Sequence, residues 1–188
     1  MAGAASAASG VPGQRLEPAE LRALVQEAQQ GDALALDELL TVLMPYVGRV
    51  CAPIALQDAP DAAQEAMIAI VRHLHQLKAP EALFGWARAI AAREAVRFAT
   101  RASGRTRHTA AAEPAEEPDL RDDELAADIR NVLERLPPDH RAVLTLRHVE
   151  GLDEQSVSEI LDLPLGTVRS RLFRARQGFR TAWGTGEG

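Results

Sequence analysis

The chain has 188 residues, a formal net charge of −6 at pH 7, and 46% hydrophobic residues. This length suits one domain or two small ones, and the single cysteine, Cys51, excludes an intrachain disulfide and a thiolate metal cluster. Few aromatic residues favour helices over sheets. Because no apolar run approaches the ~20 residues of a membrane span, we expect no membrane insertion. The lone cysteine is consistent with a reducing compartment, so we expect a cytoplasmic location.

The N-terminal half is predicted to form four helices after a disordered tail at residues 1–17. The helical pattern of residues 18–52 is interrupted at Gly31 and Asp32. Residues 53–60 are predicted to be a connector, residues 61–77 a third helix and residues 84–102 a fourth. The apolar face predicted for the third helix consists of Ala63, Met67, Ile70, Val71, Leu74 and Leu77.

The pattern disappears after residue 102. Residues 105–123 contain prolines and many acids but few large apolar groups, so we predict a flexible acidic linker. Residues 124–184 then contain four further helical stretches. The sequence therefore predicts an all-α fold of two small helical domains, residues 18–104 and 124–184, joined by the linker.

Charge is distributed unevenly along the chain. Residues 86–107 contain six arginines and one glutamate, and residues 167–183 contain five arginines and no acid. Residues 113–128, between them, contain eight acids and one arginine. Two basic segments in an acidic protein indicate local contact with a polyanion, although solvated helix faces are the alternative.

The C-terminal basic stretch, LPLGTVRSRLFRARQGFR, is amphipathic. Val168, Leu172, Ala175 and Phe179 form its predicted buried stripe, and most of its arginines and Phe173 point the other way. A short helix and the turn DLPLG precede it, which is the pattern of a helix-turn-helix. Arginine can pair with guanine in the major groove, and phenylalanine can contact a thymine methyl group.

The segment GLDEQSVSEILDLPLGTVRSRLFRAR resembles the C-terminal DNA-binding region of bacterial sigma-70 family sigma factors, especially the extracytoplasmic-function (ECF) subfamily. LPPDHRAVLTLRHVEGL is similar to the same region, region 4. APDAAQEAMIAIVRHLHQL and FGWARAIAAREAVRFATR resemble the helices of sigma region 2 that bind core RNA polymerase and open the promoter. The resemblance covers roughly residues 20 to 183, and implies a region 2 helical bundle followed by a region 4 helix-turn-helix.

The resemblance implies two sets of DNA-binding residues. For the −35 element these are Arg169, Ser170, Phe173 and Arg174 as readers, with Arg171 and Arg176 as phosphate contacts or packing residues. For the −10 element they are Lys78, Trp86, Arg93, Arg97 and Arg101. Arginines beside an aromatic ring suit an opened strand, but Trp86 can equally be a core residue. Arg93 and Arg97 depart from the family, in which Asn is common at the first position and Asn or Asp at the second.

The third helix carries an outward strip opposite its apolar face, with residues three and four apart. We predict that this strip binds core polymerase; its members are Asp61, Gln64, Glu65, Ile68 and Arg72. The resemblance implies as partners the clamp helices of the largest polymerase subunit, the flap of the second-largest subunit, promoter DNA and an anti-sigma factor. It leaves open whether the acidic linker is a tether or mimics RNA.

No grouping of residues predicts catalysis, a metal site or a cofactor. The five histidines lack partners at metal-ligand spacing, and no phosphate-binding loop or nucleophile-base arrangement occurs. We therefore expect a protein that is not an enzyme. The alternatives to a sigma factor are an autonomous helix-turn-helix regulator, which would need a dimerisation element, and a sequestered interaction protein with a vestigial DNA face.

Overall fold

The computed structural model describes residues 17–106 and 123–184, and within these ranges the chain forms α-helices and short turns without strands. The predicted all-α fold class is thus confirmed. The predicted tail, apart from Glu17, and most of the predicted linker lie outside the described residues. The helices are α1 Pro18–Gln29, α2 Ala33–Ala55, α3 Ala59–His73, α4 Leu83–Thr106, α5 Asp123–Glu134, α6 Pro138–Leu144, α7 Glu154–Leu161 and α8 Leu165–Gly184.

The predicted break between α1 and α2 is confirmed. Gly31 has a φ of 92°, a left-handed conformation that suits glycine because it has no Cβ. Asp32 then caps α2, and its carboxylate accepts hydrogen bonds of 2.9 Å from the backbone N–H groups of Leu34 and Ala35.

The prediction of a connector at residues 53–60 is wrong, because α2 continues through Pro53 to Ala55 and α3 begins at Ala59. A proline inside a helix leaves the carbonyl four residues earlier without its usual N–H donor. For Pro53 that residue is Arg49, which is exposed to solvent, so water can satisfy its carbonyl. Burial of Ile54 beside the proline stabilises the longer helix.

The predicted apolar face of α3 is confirmed except at Val71, which is 39% exposed. Ala62 and Ala66 are buried instead. The buried face of α3 is therefore rotated, relative to the predicted one, toward the side that carries these alanines. These small side chains allow α3 to approach both α2 and α4 closely.

Helices α1–α4 form the first bundle, in which α2, α3 and α4 pack against one another and α1 packs on α2. Alanines at a spacing of four residues line the buried face of α4 at positions 87, 91, 95 and 99. The side-chain amide of Gln29 donates to the carbonyls of Leu74 (2.9 Å) and Leu77 (2.8 Å). This fixes the turn after α3, and with it the position of Lys78.

The segment Ala33–Gln76 contains a stretch whose mean hydropathy of 1.7 would by composition allow a membrane span. The expectation that no apolar run approaches the length of a membrane span was therefore wrong. In the structure α2 directs Leu39, Leu43, Val47 and Ile54 into the core, where each is fully buried. A helix buried in a protein core meets the same composition test, so the segment is weak support for a span.

Helices α5–α8, with a π-helical turn at Thr145–Val149, form the second bundle. Here α8 packs against α5, α6 and α7. The predicted buried stripe of α8 is confirmed at Val168, Leu172 and Ala175. Phe179 is only half-buried, and its ring stacks on Trp183 with centroids 5.9 Å apart.

The two bundles pack against each other in the structure. Helices α2 and α4 contact α6, and α4 also contacts α7. Buried residues of both bundles belong to one continuous hydrophobic cluster. The sequence pattern contained no indication of this contact.

The turn between α7 and α8 depends on Asp162, whose φ of 52° and ψ of 54° are left-handed. Aspartate tolerates a left-handed backbone better than most residues other than glycine. Beyond it, the Leu163 N–H donates to the Ser158 carbonyl at 3.0 Å, and the Ser158 hydroxyl donates to the Leu163 carbonyl. These bonds close the C-terminus of α7.

We expect Asp162→Gly to stabilise the protein by about 0.5–1 kcal/mol, because glycine adopts the left-handed region without a Cβ clash. The measurement is the free energy of unfolding in urea. The matched control is Gln177→Gly on the exposed face of α8, which we expect to lose about 1 kcal/mol. A loss of stability in Asp162→Gly would contradict this account of the turn.

Candidate nucleic-acid interface

The outer face of α8 carries exposed arginines around one exposed aromatic side chain. Burial of Val168, Leu172 and Ala175 fixes the rotation of the helix, so its opposite face must point to solvent. On that face Phe173 is 66% exposed, and Arg169 and Arg174 are also exposed. An exposed aromatic side chain between arginines suits groove contact better than packing within the protein.

Two ion pairs organise this surface. Arg169 Nε donates to a carboxylate oxygen of Glu154 at 2.9 Å, and half-buried Arg171 pairs with Asp139 at 3.0 Å. Arg171 thereby links α8 to the start of α6, which supports the packing role left open from the sequence.

The remaining predicted residues of this surface are Ser170 and Arg176. The Ser170 hydroxyl donates to the Thr167 carbonyl at 3.0 Å, and Arg176 Nε donates to His148 Nε2 at 3.3 Å. All six predicted −35 residues thus lie on one helix, and four of them, Arg169, Phe173, Arg174 and Arg176, are exposed to solvent.

The predicted −10 residues occupy one side of α4 and the turn before it. Lys78 and Arg101 are exposed, and Trp86 is half-buried and packs against the core. Arg97 pairs with Glu94 and lies 3.9 Å from Glu65.

Arg93, the central member of that set, contacts the second bundle. Its Nη1 donates to the carbonyl of Ile160 at 3.2 Å. Ile160 lies on α7, the helix that precedes the basic helix α8. One predicted −10 contact is therefore occupied by the protein itself in this conformation.

The predicted strip on α3 is continuous and open to solvent. All five of its members are exposed: Asp61, Gln64, Glu65, Ile68 and Arg72. Ile68 is 43% exposed between polar neighbours. An exposed isoleucine with a charged rim is the composition of a protein-binding surface.

The sequence analysis missed four side chains that join the bundles: Tyr46, Arg88, Arg141 and Glu150. Arg141 is buried and donates to the carbonyl of Ile54 at 2.7 Å and to that of Leu136 at 2.9 Å. Glu150 accepts from Tyr46 and from Arg88, each at 3.3 Å. These four residues are far apart in the sequence and follow no regular spacing, so no sequence pattern could have identified them.

Burial explains the pKa changes at this junction. It lowers the pKa of Arg141, with Glu134 and Asp58 opposing that change, and it raises the pKa of Tyr46, with Glu150 adding to the increase. Tyr46 therefore stays protonated and able to donate. Burial also raises the pKa of Cys51 to about 12, so this thiol is not a reactive thiolate at neutral pH.

Within the described residues, no group of three or more His, Cys, Asp or Glu side chains is placed to hold a metal ion. The chemistry that the arrangement supports is recognition of a polyanion by arginines. The fold places these arginines on the second helix of a helix-turn-helix.

Comparison with known proteins agrees with this class. Residues 126–177 match the family model described as "Sigma-70, region 4". The chain is 35% identical to the ECF RNA polymerase sigma-E factor of Haemophilus influenzae, over 83% of this chain and 91% of that protein. It is 34% identical to the RNA polymerase sigma-H factor of Pseudomonas aeruginosa, over 85% and 91% of the two chains.

A solved structure has the same fold. The sigma factor RpoE of Bartonella quintana, solved with the anti-sigma factor NepR, matches with a TM-score of 0.55 and 20% identity, over 78% of this chain and 94% of that chain. The chain belongs to the ECF subfamily of the sigma-70 family.

We expect protonation of His148 to weaken the fold. Burial, followed by Arg176 and Arg147, lowers the pKa of His148 below its usual 6.5, and its neutral Nε2 accepts from Arg176. Because the folded state favours neutral histidine, this contribution to stability is present above pH 6.5. It is lost as the pH falls toward the lower pKa of the folded state.

The measurement is the free energy of unfolding in urea between pH 7.5 and 5.5. His148→Gln and Arg176→Ala should each show a smaller loss of stability over this range than the wild type. Equal losses in all three proteins would contradict the assignment.

Proposed function

We propose that this protein is a transcription initiation factor that binds core RNA polymerase, directs it to specific promoters through −35 and −10 elements, and promotes promoter opening. The observation that carries the proposal is the exposed arginine and phenylalanine face of α8, held as the second helix of a helix-turn-helix. Membership of the ECF subfamily supports the same function.

In this proposal α8 enters the major groove of the −35 element. Arg174 and Phe173 read base edges together with Arg169 and Ser170. Arg176 contacts phosphates, while Arg171, fixed by Asp139, positions the helix. Recognition by Arg169 requires either exchange of its bond to Glu154 or contact through its remaining guanidinium donors.

The first bundle supplies the other two contacts. Lys78, Trp86, Arg93, Arg97 and Arg101 contact the opened −10 strand. The exposed strip of α3 around Ile68 docks on the clamp helices of the largest polymerase subunit. The second bundle contacts the flap of the second-largest subunit.

We further propose the domain limits 18–104 and 124–184, with an intervening tether that connects them. The protein acts in the cytoplasm, catalyses no reaction of its own and takes no cofactor. An anti-sigma factor holds it inactive, as NepR accompanies the solved relative. Because the net charge of −6 opposes DNA binding, the free protein binds promoters weakly. The alternative, an autonomous regulator, would bind them without polymerase.

The first test is run-off transcription with purified core polymerase on a promoter library. We expect Arg174→Ala to reduce promoter-dependent transcription about 10- to 100-fold, because a bidentate arginine contact to a base contributes about 1–3 kcal/mol. Binding to core should remain unchanged. The matched control is Arg180→Ala, another exposed arginine of α8, which we expect to change transcription less than about threefold. If core polymerase starts no new transcripts with the wild type, the proposed function is wrong.

The second test concerns the strip on α3. We expect Ile68→Asp to weaken binding to core polymerase at least about tenfold, because it places a charge in the apolar centre of the contact. Leu34→Asp is the control, since Leu34 is also an exposed apolar residue, at 83%, but lies on α2. Competition binding with a labelled sigma factor measures both. Equal affinities of the two variants would remove α3 from the core-binding surface.

A further inference from the structure

An ion pair joins α7 and α8, the two helices of the helix-turn-helix. Arg169 Nε donates to a carboxylate oxygen of Glu154 at 2.9 Å, a length typical of charge-assisted hydrogen bonds, which are about 2.7–2.9 Å long. Glu154 is the first residue of α7, and Arg169 lies in the second turn of α8. Because the N-terminal residues of a recognition helix are those that reach base edges, the pair lies where α8 would meet DNA.

This ion pair contributes little to the stability of the fold. The side chains of Arg169 and Glu154 are 64% and 35% exposed, and water and salt weaken ion pairs at such positions. The turn between the helices is closed by other groups, the Ser158 hydroxyl and the left-handed backbone of Asp162. The main effect of the pair is therefore to restrict the conformations of the Arg169 side chain.

The contact leaves free the part of Arg169 that can pair with a base. A guanidinium has five N–H donors, one on Nε and four on the two Nη groups. Glu154 accepts from Nε, and neither Nη donates a hydrogen bond to another described residue. Guanine presents O6 and N7 as two acceptors in the major groove, and one guanidinium can engage both. Arg169 can therefore bind Glu154 and guanine at the same time.

The position of Glu154 suits a carboxylate that remains charged and free to accept. It stands in the first turn of α7, where the helix dipole favours negative charge. The neighbouring carboxylate of Asp153 already caps this helix, since it accepts from the backbone N–H of Ser156 at 2.7 Å. The carboxylate of Glu154 is consequently not needed for capping and can hold Arg169.

Taken alone, a carboxylate at this place opposes DNA binding. Phosphates repel it, and non-specific affinity rises with the positive charge that a surface presents. Ordering an arginine before binding has the opposite effect on specific binding, because less side-chain entropy is lost when the arginine pairs with its base. A residue that lowers non-specific affinity while it orients a base-reading arginine raises the ratio of specific to non-specific binding.

We propose that Glu154 is a positioning residue, which orients Arg169 and thereby sets a preference for guanine at one base pair of the −35 element. The carboxylate contacts no base and acts through Arg169. The inference rests on the proposed function and deepens it, because it concerns the sequence specificity of the promoter contact that α8 makes.

The test is run-off transcription by core polymerase with the full chain, on promoters whose −35 element is randomised and linked to a barcode in the transcript. Sequencing the transcripts gives the base preference at each position. Arg169→Ala should abolish the preference for guanine at one position, and Glu154→Ala should reduce that preference about 3- to 10-fold, because an unrestrained arginine discriminates less well. Preferences at the other positions should remain.

Two further variants test whether Glu154 acts through Arg169. Glu154→Gln keeps an oxygen that can accept from Nε, so its preference for guanine should lie between those of the wild type and Glu154→Ala. The double variant Glu154→Ala with Arg169→Ala should have the same preferences as Arg169→Ala alone. Such non-additivity is expected of two residues that act as one unit.

The matched control is Glu159→Ala, which removes a carboxylate from the exposed side of the same helix. Glu159 accepts from Gln155 at 3.0 Å rather than from an arginine, so every base preference should stay as in the wild type. A second measurement is the affinity of the polymerase complex for DNA without a promoter. There Glu154→Ala should bind as tightly as the wild type or more tightly, because it lacks a charge that repels phosphates. Circular dichroism and urea unfolding verify that each variant is folded.

The inference is overturned if folded Glu154→Ala keeps the wild-type preferences, or if it loses affinity equally for all sequences, promoter-free DNA included. It is also overturned if Glu154→Ala changes a position at which Arg169→Ala has no effect, since Glu154 would then contact a base itself, as a carboxylate can contact cytosine. Transcription by the wild type with unaltered preferences in Glu154→Ala refutes this inference alone. Absence of any transcription with the wild type refutes the proposed function and this inference with it.

Discussion

The arrangement of the whole molecule depends on one buried cation, Arg141. Its guanidinium has no carboxylate within hydrogen-bonding distance in the described chain, and its acceptors are backbone carbonyls at the ends of α2 and α5. Burying an arginine lowers its pKa and is costly unless its donors are satisfied. Here the helix termini supply the partial negative charge. The position of the second bundle therefore follows from where α2 ends.

The end of α2 is in turn a consequence of the two prolines within it. Pro45 and Pro53 remove N–H donors, but the affected carbonyls belong to exposed residues, Thr41 and Arg49. The buried side of the helix retains Leu43, Val47, Val50 and Ile54. Hydrophobic burial along one face thus carries the helix past residues that the local sequence marks as breaks. Had α2 ended at Ala52, the Ile54 carbonyl would not face Arg141.

Periodicity along one helix was readable from sequence, whereas contacts between helices were not. The stripe of Val168, Leu172 and Ala175 was found because it depends only on the 3.6-residue period. The capped break at Gly31 and Asp32 depends only on local backbone chemistry. Exposure of Val71 could not be predicted in the same way, because it depends on how α3 is rotated against its neighbours.

The same distinction applies to the candidate site. The arginine face of α8 and the strip around Ile68 are properties of single helices, and the structure leaves both open to solvent as the patterns indicate. The state of Arg93 is a property of the assembled fold, since its partner, the Ile160 carbonyl, is a backbone group 67 residues away. An arginine at that position looks the same in the sequence whether or not the fold provides it with such a partner. The sequence therefore identifies which side chains can bind DNA, and the packing of the bundles determines which are free to do so.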